Sequence, residues 1–360
     1  MKNKLILSCL CIIFANSYSQ TATQKMSKNT IPPVAKKISK TLEKHGDKRN
    51  DDYFWLNDRE NKEVIGYLNQ ENEYYEQMTA HTKDFQTRLF EEMKGRIKED
   101  DSSVPYFLNG YWYITRFETG KNYPIYARKK GSLTAEEEIL FDCNAMAEGH
   151  SYFQLGGMSI SQDNQFASFG VDVVGRRIYT IQIKDLKTGK ILSDKIENVT
   201  GGSTWASDNK TLFYTKQDAQ TLRSDKVFKH KLGADASKDV LVFHEKDDTF
   251  NVGVSKEKSR KYIVITSSST LTTEFRTLLA DNPEGEFKVF QKRVRGLEYD
   301  ISHYGDSFYI LTNKDKATNF KLMKTPENAT GKENWKDLIP HREDVLLEDI
   351  EIFKDYLVVG

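Results

Sequence analysis

This sequence of 360 residues has few cysteines and few prolines, and it has no excess of charge of either sign. Lys and Arg together number 53, and so do Asp and Glu, so the chain lacks the basic surface that nucleic-acid binding usually requires. Seven prolines are few for a disordered chain, whereas 18 tyrosines and 20 phenylalanines suit an ordered chain rich in strands. We therefore expect one large or two ordinary domains and no nucleic-acid partner.

Residues 1–19 have the pattern of a secretory signal peptide. Lys2 and Lys4 precede an apolar run over residues 5–15, and Ser17 and Ser19 form the small-x-small pattern of a cleavage site. The run is too short to span a membrane stably, so we predict export to the periplasm or the outside, with no membrane partner. An N-terminal core segment and a lipid anchor at Cys9 are the weaker alternatives.

Cleavage near Ser19 would remove Cys9 and Cys11 and leave Cys143 as the one cysteine of the mature chain. An internal disulfide would then be impossible, although the exported compartment would permit one. Because no neighbour in sequence offers Cys143 a base, we predict a small core residue and not a nucleophile.

A polar N-terminal extension, residues 20–50, precedes a segment, residues 51–100, in which apolar residues recur at helical spacing. The spacing predicts one or two helices with an apolar stripe along one face, formed by Val64, Leu68, Tyr75, Met78, Phe85, Leu89 and Met93. Asn57 or Asp58 is the predicted N-cap of the first helix. A stripe of this kind needs a partner surface, and ordinary core packing is the simplest one.

Residues 101–360 consist of short alternating runs separated by turns. Asn109-Gly110 between two such runs predicts a hairpin. Similar turn markers recur 45 to 54 residues apart, at Gly110, Asn164, Asn209, Lys258, Asp306 and Asp355. This period, with several short strands in each repeat, indicates a mainly β fold, a β-propeller, with a generic all-β meander as the alternative. The sixth repeat has only begun at Gly360, so we expect an N-terminal fragment whose propeller is truncated there.

Catalytic and cofactor motifs are missing from the sequence. The G-x-S-x-G elbow of α/β-hydrolases does not occur, and its nearest approach places Ser159 in a strand-like repeat, where we expect a structural role. The seven histidines show neither the H-x-x-x-H spacing nor the clustering of a metal site. No Walker loop or dinucleotide fingerprint appears, and the glycines at 156, 157, 201 and 202 are expected at strand boundaries. We predict no catalytic residue, metal or cofactor in this chain.

Three charged pairs are the remaining candidates for a site. The acidic pairs Asp100-Asp101 and Asp247-Asp248 could attract a cation or a basic substrate, although solvated turn carboxylates are more common. Arg176-Arg177 borders a strand, and two adjacent guanidinium groups suit a bidentate contact with a carboxylate on another domain. We take Arg176 and Arg177 as a candidate domain interface, with a plain surface role as the alternative.

Several strings of the sequence resemble oligopeptidase B, or protease II, of the prolyl oligopeptidase family of serine peptidases. The resemblance runs from about Ile31 to the last residue and is carried by strings such as "EEMKGRIKEDDSSVPYFLNGYWYITRFETGKNYPIYARKKG", "GGMSISQDNQFASFGVDVVGRRIYTIQIKDLKTG", "HEKDDTFNVGV" and "IPHREDVLLEDIEIFKDYLVV". The resemblance implies a seven-bladed propeller, preceded by a helical segment that packs on a C-terminal α/β-hydrolase domain. That domain would carry the Ser-Asp-His triad, so the resemblance assigns no catalytic residue to this chain.

The resemblance implies the gating portion of an exported serine endopeptidase that cleaves short peptides after Lys or Arg. The partners would then be short basic peptides and the protein's own catalytic domain, and the 360 residues alone are expected to be inactive. A signal peptide departs from many relatives and puts a cytosolic role in doubt. The alternatives are a non-catalytic secreted propeller that binds a protein or small ligand, and a dipeptidyl-peptidase-like relative, which should lack the "GGMSIS" and "RRIYT" strings.

Overall fold

The computed structural model of the chain describes residues 31–360. The predicted signal peptide, residues 1–19, and the first part of the extension predicted over residues 20–50 lie outside the described residues. The chain divides into two compact units, Met1–Lys98 and Glu99–Gly360. The first contains a short hairpin and two helices, and the second consists almost entirely of β-sheets.

A two-stranded hairpin lies in the first unit, where the sequence predicts only a polar extension. Strands β1 (Lys40–Lys44) and β2 (Asp47–Asp51) pair antiparallel across His45 and Gly46. Both turn residues have positive φ, 55° and 80°, which gives the turn the twist that flanking strands require. Histidine is an unusual residue for this position, so the sequence carried little signal for the turn.

Two α-helices follow the hairpin. They are α1 (Lys62–Thr79) and α2 (Lys83–Gly95), separated by a 3₁₀ turn over Ala80–Thr82. The predicted helices are therefore confirmed. In the described residues, no helix has the length and apolar character needed to cross a bilayer.

The predicted N-cap at Asn57 or Asp58 is wrong. Asn57 ends a separate 3₁₀ turn, and the Asp58 N–H bonds back to the carbonyl of Trp55. The α-helix begins after Asn61, whose side chain accepts a hydrogen bond from the Glu63 N–H at 2.9 Å. Asn61 is thus the side chain that satisfies an otherwise unpaired donor of the first turn.

The apolar stripe of the helices is largely exposed. Within α1 and α2 only Val64 is buried. Most of the larger apolar side chains are exposed by 42% or more, among them Ile65, Leu68, Tyr75, Phe85, Leu89, Phe90 and Met93. The helices therefore present a contiguous apolar surface that the described residues leave uncovered.

The second unit forms five four-stranded blades and a final hairpin. The first blade consists of β3 (Tyr106–Leu108), β4 (Tyr111–Arg116), β5 (Ile125–Lys130) and β6 (Glu137–Asp142). After the short helix α3 (Cys143–Met146), the second has β7 (Gln154–Ile160), β8 (Phe166–Asp172), β9 (Tyr179–Asp185) and β10 (Ile191–Trp205). The third shares β10 and adds β11 (Thr211–Gln217), β12 (Ser224–Lys231) and β13 (Val240–His244).

The remaining strands repeat the same plan. The fourth blade has β14 (Asn251–Lys256), β15 (Tyr262–Ser268), β16 (Thr273–Leu279) and β17 (Lys288–Val289). The fifth has β18 (Tyr299–Tyr304), β19 (Ser307–Thr312), β20 (Lys321–Pro326) and β21 (Lys336–Ile339), and the last hairpin is β22 (Ile350–Ile352) with β23 (Leu357–Val359). Within each sheet, every strand pairs antiparallel with the next along the chain. Repeated four-stranded meanders are the architecture of a β-propeller, so the predicted fold is confirmed.

Each predicted turn marker lies between the first and second strand of a blade. Asn109 and Gly110 join β3 to β4 with φ values of 51° and 84°, which confirms the predicted hairpin. The other five markers occupy the equivalent turns of the later sheets, at Asn164, Asn209, Lys258, Asp306 and Asp355. We call the end of the blades that carries these turns the turn end, and the opposite end, where each first strand begins, the loop end.

Glycines bring the second and third blades into backbone contact. Gly157 lies within β7 with φ +62°, and a Cβ there would lie 2.7 Å from the carbonyl carbon of Gly201 in β10. A Cβ on Gly170 would meet Gly201 Cα at 2.6 Å. The expectation that the glycines at 156, 157, 201 and 202 mark strand boundaries is therefore wrong. All four lie inside strands, and at Gly157 the neighbouring backbone approaches too closely for a side chain.

Aromatic side chains fill the core between the fourth and fifth blades. Phe290 packs edge-on against Phe308 with ring centroids 4.9 Å apart, and Tyr299 lies 5.3 Å from Trp335. Each of these four side chains is at most 5% exposed, and burying a large side chain of this kind contributes about 1.5–3 kcal/mol. Cys143 is also buried, in the core of the first blade, and burial raises the pKa of its thiol to about 11, which confirms its prediction as a core residue.

Candidate functional site

The loop that carries Arg176 and Arg177 lies at the loop end of the second blade. Strand β8 returns from the turn end, and the six residues 173–178 connect it to β9. Tyr152, just before β7, packs against this loop, because a Cβ on Gly175 would lie 3.3 Å from its ring. We call residues 173–178 the arginine loop.

A buried carboxylate holds the arginine loop in shape. Asp172, which is 1% exposed, accepts hydrogen bonds from the backbone N–H groups of Val174, Gly175 and Arg177 at 2.8, 2.9 and 2.8 Å. Burial alone would raise the pKa of this carboxyl, but the bonds from the backbone outweigh it and hold the pKa below its ordinary value. A charged acceptor with three backbone donors fixes the loop more firmly than neutral contacts would.

A second contact ties the arginine loop to the third blade. The side-chain amide of Gln217, at the end of β11, donates to the carbonyl oxygen of Arg177 at 2.7 Å. Arg177 itself has φ 57°, a conformation that costs a residue with a side chain about 1–2 kcal/mol. The backbone around the two arginines is therefore held by its neighbours in a conformation that it would not adopt alone.

The guanidinium groups of Arg176 and Arg177 are exposed and carry no hydrogen bond or ion pair with any residue in the described range 31–360. Other arginines of the loop end differ. Arg223 donates to the carbonyl oxygens of Asp247 and Phe250 at 3.1 and 2.8 Å. The structure thus leaves two adjacent cations on a fixed loop with their donors unused, an arrangement able to bind a carboxylate in a bidentate fashion.

Arg293 shows how completely other charges of the loop end are matched. Its guanidinium bridges two buried carboxylates, Glu245 at 2.6 Å and Glu274 at 3.3 Å, and its N–H donates to Glu274 at 2.9 Å. It also lies 4.0 Å from the ring centroid of Phe250. Burial opposes ionisation of Glu245, but hydrogen bonding to Arg293 outweighs it and holds its pKa below the ordinary value. No pattern in the sequence indicated this network.

Both acidic pairs lie outside the helices and the regular strands. Asp247 accepts bonds from the N–H and hydroxyl of Thr249 at 3.0 and 2.7 Å, as a turn-capping carboxylate does. The Asp101 carbonyl accepts a hydrogen bond from the Phe117 N–H at 2.8 Å. Over residues 31–360, no group of His, Cys, Asp and Glu side chains is arranged to hold a metal ion.

One Ser-His-Glu trio does come together, at the turn end. His303 is 4% exposed, with Nδ1 at 2.9 Å from Ser259 Oγ and Nε2 at 3.0 Å from Glu327 Oε2. The same Glu327 oxygen accepts from Lys261 at 2.6 Å and from the Tyr262 hydroxyl at 3.2 Å. With its carboxylate already neutralised by a lysine, the trio binds the turn of the fourth blade to the fifth and lacks the unshared carboxylate of a nucleophile's base.

Ser159 also has a structural place. It lies in β7, and its carbonyl oxygen accepts a hydrogen bond from the Trp205 indole at 3.1 Å, which links the second and third blades. The molecule thus combines a propeller with an ordered charged loop end. Together these features define the class of the second unit as a β-propeller domain.

Comparison with known proteins gives the family. The model of the prolyl oligopeptidase N-terminal β-propeller domain matches residues 32–360. The chain belongs to the prolyl oligopeptidase family, as the sequence strings indicated.

Two curated relatives are similar over nearly the whole chain. Dipeptidyl aminopeptidase BI of Pseudoxanthomonas mexicana is 41% identical over 95% of this chain and 50% of its own length. Protease 2 of Moraxella lacunata is 35% identical over 91% of this chain and 48% of its own length. The chain therefore spans about half the length of these curated relatives.

Solved structures show the same relationship. Oligopeptidase B from Leishmania major matches with a TM-score of 0.84 and 31% identity, over 92% of this chain and 49% of that chain. Oligopeptidase B from Trypanosoma brucei, with covalently bound antipain in a closed form, matches with a TM-score of 0.83 and 28% identity, over 91% of this chain and 49% of that chain. The prediction of an oligopeptidase B-like propeller is confirmed.

Proposed function

We propose that this chain is the N-terminal and gating-propeller portion of an oligopeptidase B-like serine endopeptidase that hydrolyses short peptides after Lys or Arg. The similarity to peptidases of this family over residues 32–360 carries the proposal. The nucleophile, base and oxyanion donors would come from a C-terminal α/β-hydrolase domain. The propeller would limit access to short, flexible peptides, and the chain alone would be inactive.

The arginine loop is the proposed contact with the catalytic domain. Arg176 and Arg177 have no ionic partner within residues 31–360, while Asp172 already fixes the backbone that carries them. A carboxylate on the catalytic domain would meet two arginines whose backbone is already fixed, so only their side chains would have to be ordered on contact. Breaking this ion pair between the arginine loop and the catalytic domain would allow the two domains to separate and admit substrate.

The apolar face of α1 and α2 supports the same proposal. Side chains such as Phe90 and Met93, which are 62% and 60% exposed, would be covered by the catalytic domain. Covering apolar area contributes about 25 cal/mol per Å², so a face of this extent would hold the helices firmly. Export to the periplasm or the outside remains part of the proposal and rests on the pattern of residues 1–19.

The test is to express the complete reading frame of the gene beside the 360-residue chain. The complete protein is expected to hydrolyse an amino-blocked Arg-Arg amide far faster than its Ala-Ala counterpart, and to be inhibited by a serine-directed phosphonate. The 360-residue chain should show no hydrolysis. A complete protein without any serine-directed activity would overturn the proposal and favour a secreted binding propeller.

A second candidate is release of dipeptides from free N-termini. The 41% identity with dipeptidyl aminopeptidase BI favours it. The discriminating substrates are a dipeptidyl amide with a free amino group and the same amide with a blocked one. An endopeptidase should prefer the blocked substrate, whereas a dipeptidyl aminopeptidase should require the free amine.

A further inference from the structure

The turns of four blades meet at the turn end. The Asn164 side chain in the second blade donates to the Asn109 carbonyl in the first at 3.0 Å. The Asp163 N–H donates to the side chain of Asn209 in the third blade at 3.2 Å. Arg260, in the turn of the fourth blade, donates to the Asn109 side chain. Because blades one and four are not neighbours along the chain, these contacts place the turns around one common point.

Lys256, at the end of β14, lies at the same point. Its ammonium group donates to the Ser207 hydroxyl at 3.2 Å and to the Gln162 amide oxygen at 3.4 Å. It therefore reaches the turns of both the third and the second blade. Lys256 and Arg260 are both partly buried, and burial, assisted by the nearby Arg260 charge, lowers the pKa of Lys256.

These two cations bind only neutral oxygens. Neither has an ion pair with any residue in the described range 31–360, although two other lysines near the same turn do. Lys258 pairs with Glu351, and Lys261 pairs with Glu327 at 2.6 Å. Two partly buried cations that repel each other and have no carboxylate in contact form an unusual arrangement, since buried charges are normally paired.

The carboxylates nearest in sequence are already engaged. Asp208 accepts from the N–H groups of Lys210 and Thr211 at 2.9 Å each and from the Thr211 hydroxyl at 2.7 Å. Glu257 accepts from the His303 N–H at 2.9 Å, and burial raises its pKa to about 7. Asp208 stays ionised, and its charge partly offsets the lowering of the Lys256 pKa, but within residues 31–360 neither carboxylate forms a hydrogen bond or ion pair with Lys256 or Arg260.

We propose that Lys256 and Arg260 form an oxyanion-binding site at the turn end, with Asn109, Gln162 and Ser207 as surrounding polar groups. The ligand is a carboxylate or phosphate group, which would replace neutral acceptors by charged ones and remove the repulsion between the two cations. A bound oxyanion would thereby join the turns of four blades. The site is independent of peptidase chemistry.

The test measures thermal unfolding and isothermal titration of the 360-residue chain with inorganic phosphate, against sodium chloride at equal ionic strength. We expect a rise in Tm with phosphate that chloride does not produce. Lys256→Gln and Arg260→Gln should each weaken phosphate binding about tenfold, the effect of losing one charge-assisted contact. Lys261→Gln is the matched control, since that lysine is already paired, and it should bind phosphate as the parent chain does.

Asn109→Asp is a second kind of variant, chosen because it should block the site without unfolding the protein. Aspartate is accepted in a turn with positive φ, and its carboxylate would occupy the Arg260 guanidinium permanently. This variant should therefore fold, as circular dichroism would show, and fail to respond to phosphate. The proposal is overturned if the parent chain shows no phosphate-specific shift, or if the shift survives in all three site variants.

Peptide ligands distinguish the two possible sources of the oxyanion, a peptide carboxylate and a free inorganic anion. Trialanine and its C-terminal amide differ only in the terminal carboxylate. Binding of the acid in preference to the amide would identify a peptide carboxylate as the ligand. Binding of phosphate alone would identify a free inorganic anion. If neither phosphate nor the acid bound, no oxyanion site would exist.

Discussion

The two units of the chain differ in how they treat their apolar side chains: the helices of the first unit expose them, and the strands of the second bury them. In the helices α1 and α2 only Val64 is buried, and residues such as Phe90 lie outside. In the propeller a single strand, β15, buries Ile263, Val264 and Ile265 at 1% exposure or less. The propeller thus obtains its stability from its own residues, whereas the helices carry an apolar face whose cover is not among the described residues.

This difference shows that one kind of sequence pattern has two physical meanings. Helical periodicity in residues 61–93 and strand alternation in the blades each predict an apolar face that needs a covering surface. Among the described residues, only the apolar faces of the strands are covered by other parts of the chain. The comparison predicts that changes of similar chemistry will have large effects in the propeller and small ones in the helices.

The largest effect is expected at a glycine. Gly157→Ala would bring a Cβ to 2.7 Å from the Gly201 carbonyl carbon in a backbone with φ +62°. We expect destabilisation by about 4 kcal/mol or more, since backbone cannot move aside as a side chain can. Urea unfolding followed by circular dichroism measures it.

Gly66→Ala in α1 is the control for this change. No atom lies within 4 Å of its Cβ position, so alanine should stabilise the helix by about 0.5–1 kcal/mol. Equal losses at both glycines would contradict the comparison.

The next effect concerns a buried histidine of the propeller. His230 is fully buried, with Nδ1 at 2.7 Å from Asp239 and Nε2 at 3.0 Å from Asp194. The two carboxylates hold the ring from both sides. His230→Ala would leave two buried carboxylates without this donor and should cost about 3 kcal/mol at neutral pH.

Exposed His81, in the 3₁₀ turn between the helices, gives the matching change. His81→Ala should alter the free energy of unfolding by about 0.5 kcal/mol or less. Both values come from chemical denaturation. A loss at His230 no greater than at His81 would refute the structural role of the buried contacts between His230 and the two carboxylates.

A pH dependence of intermediate size is expected from Glu257 in the propeller. Burial raises the pKa of its carboxyl to about 7 from the usual 4.5, so the folded state holds the proton more tightly than the unfolded one. Its contribution to stability is therefore present at low pH and lost as pH rises from about 4.5 to about 7.

Because the side chain of Glu257 is only partly buried, we expect this loss to reach about 1–2 kcal/mol. Glu257→Gln should remove that part of the slope, as measured by unfolding in urea at a series of pH values. An unchanged slope would show that this carboxyl does not titrate as described.

The smallest effect is expected on the helices. Phe90→Ser changes a side chain that is 62% exposed and should shift the free energy of unfolding by about 0.5 kcal/mol or less, while lowering self-association in sedimentation velocity. Phe308→Ala, at a position that is 1% exposed in the propeller, should cost about 3–5 kcal/mol. If Phe90→Ser proved equally costly, the helical face would already be covered.

The sequence predicted the repeating part of the fold because turn chemistry is local. Asn109, Asn164 and Asn209 take positive φ at equivalent turns, and asparagine tolerates that conformation. The cap at Asn61 was missed because Asn57 and Asp58 offer the same side-chain chemistry a few residues earlier. The hairpin around His45 was missed because its turn lacks the usual residues.

The candidate sites were harder to predict because they depend on contacts distant in sequence. Arg176 and Arg177 stood out as an adjacent pair, but their fixed backbone depends on Asp172 and Gln217. The trio around His303, and the meeting of Arg260 with Asn109, join residues that no spacing rule relates. Interactions of this kind follow from the packing of blades against one another and not from any local pattern.

Strand β10 joins the second and third blades differently from the way the other blades are joined. It pairs with β9 through its first part and with β11 through its last, so one uninterrupted backbone of 15 residues runs through two blades. The shared strand keeps both blades hydrogen-bonded in one seven-stranded sheet, and it bends between its two pairings, where Asn198 and Gly201 have φ of 60° and 90°. At the next junction no strand is shared, and residues 245–250 join the third blade to the fourth through side-chain contacts of Arg223 and Arg293 instead.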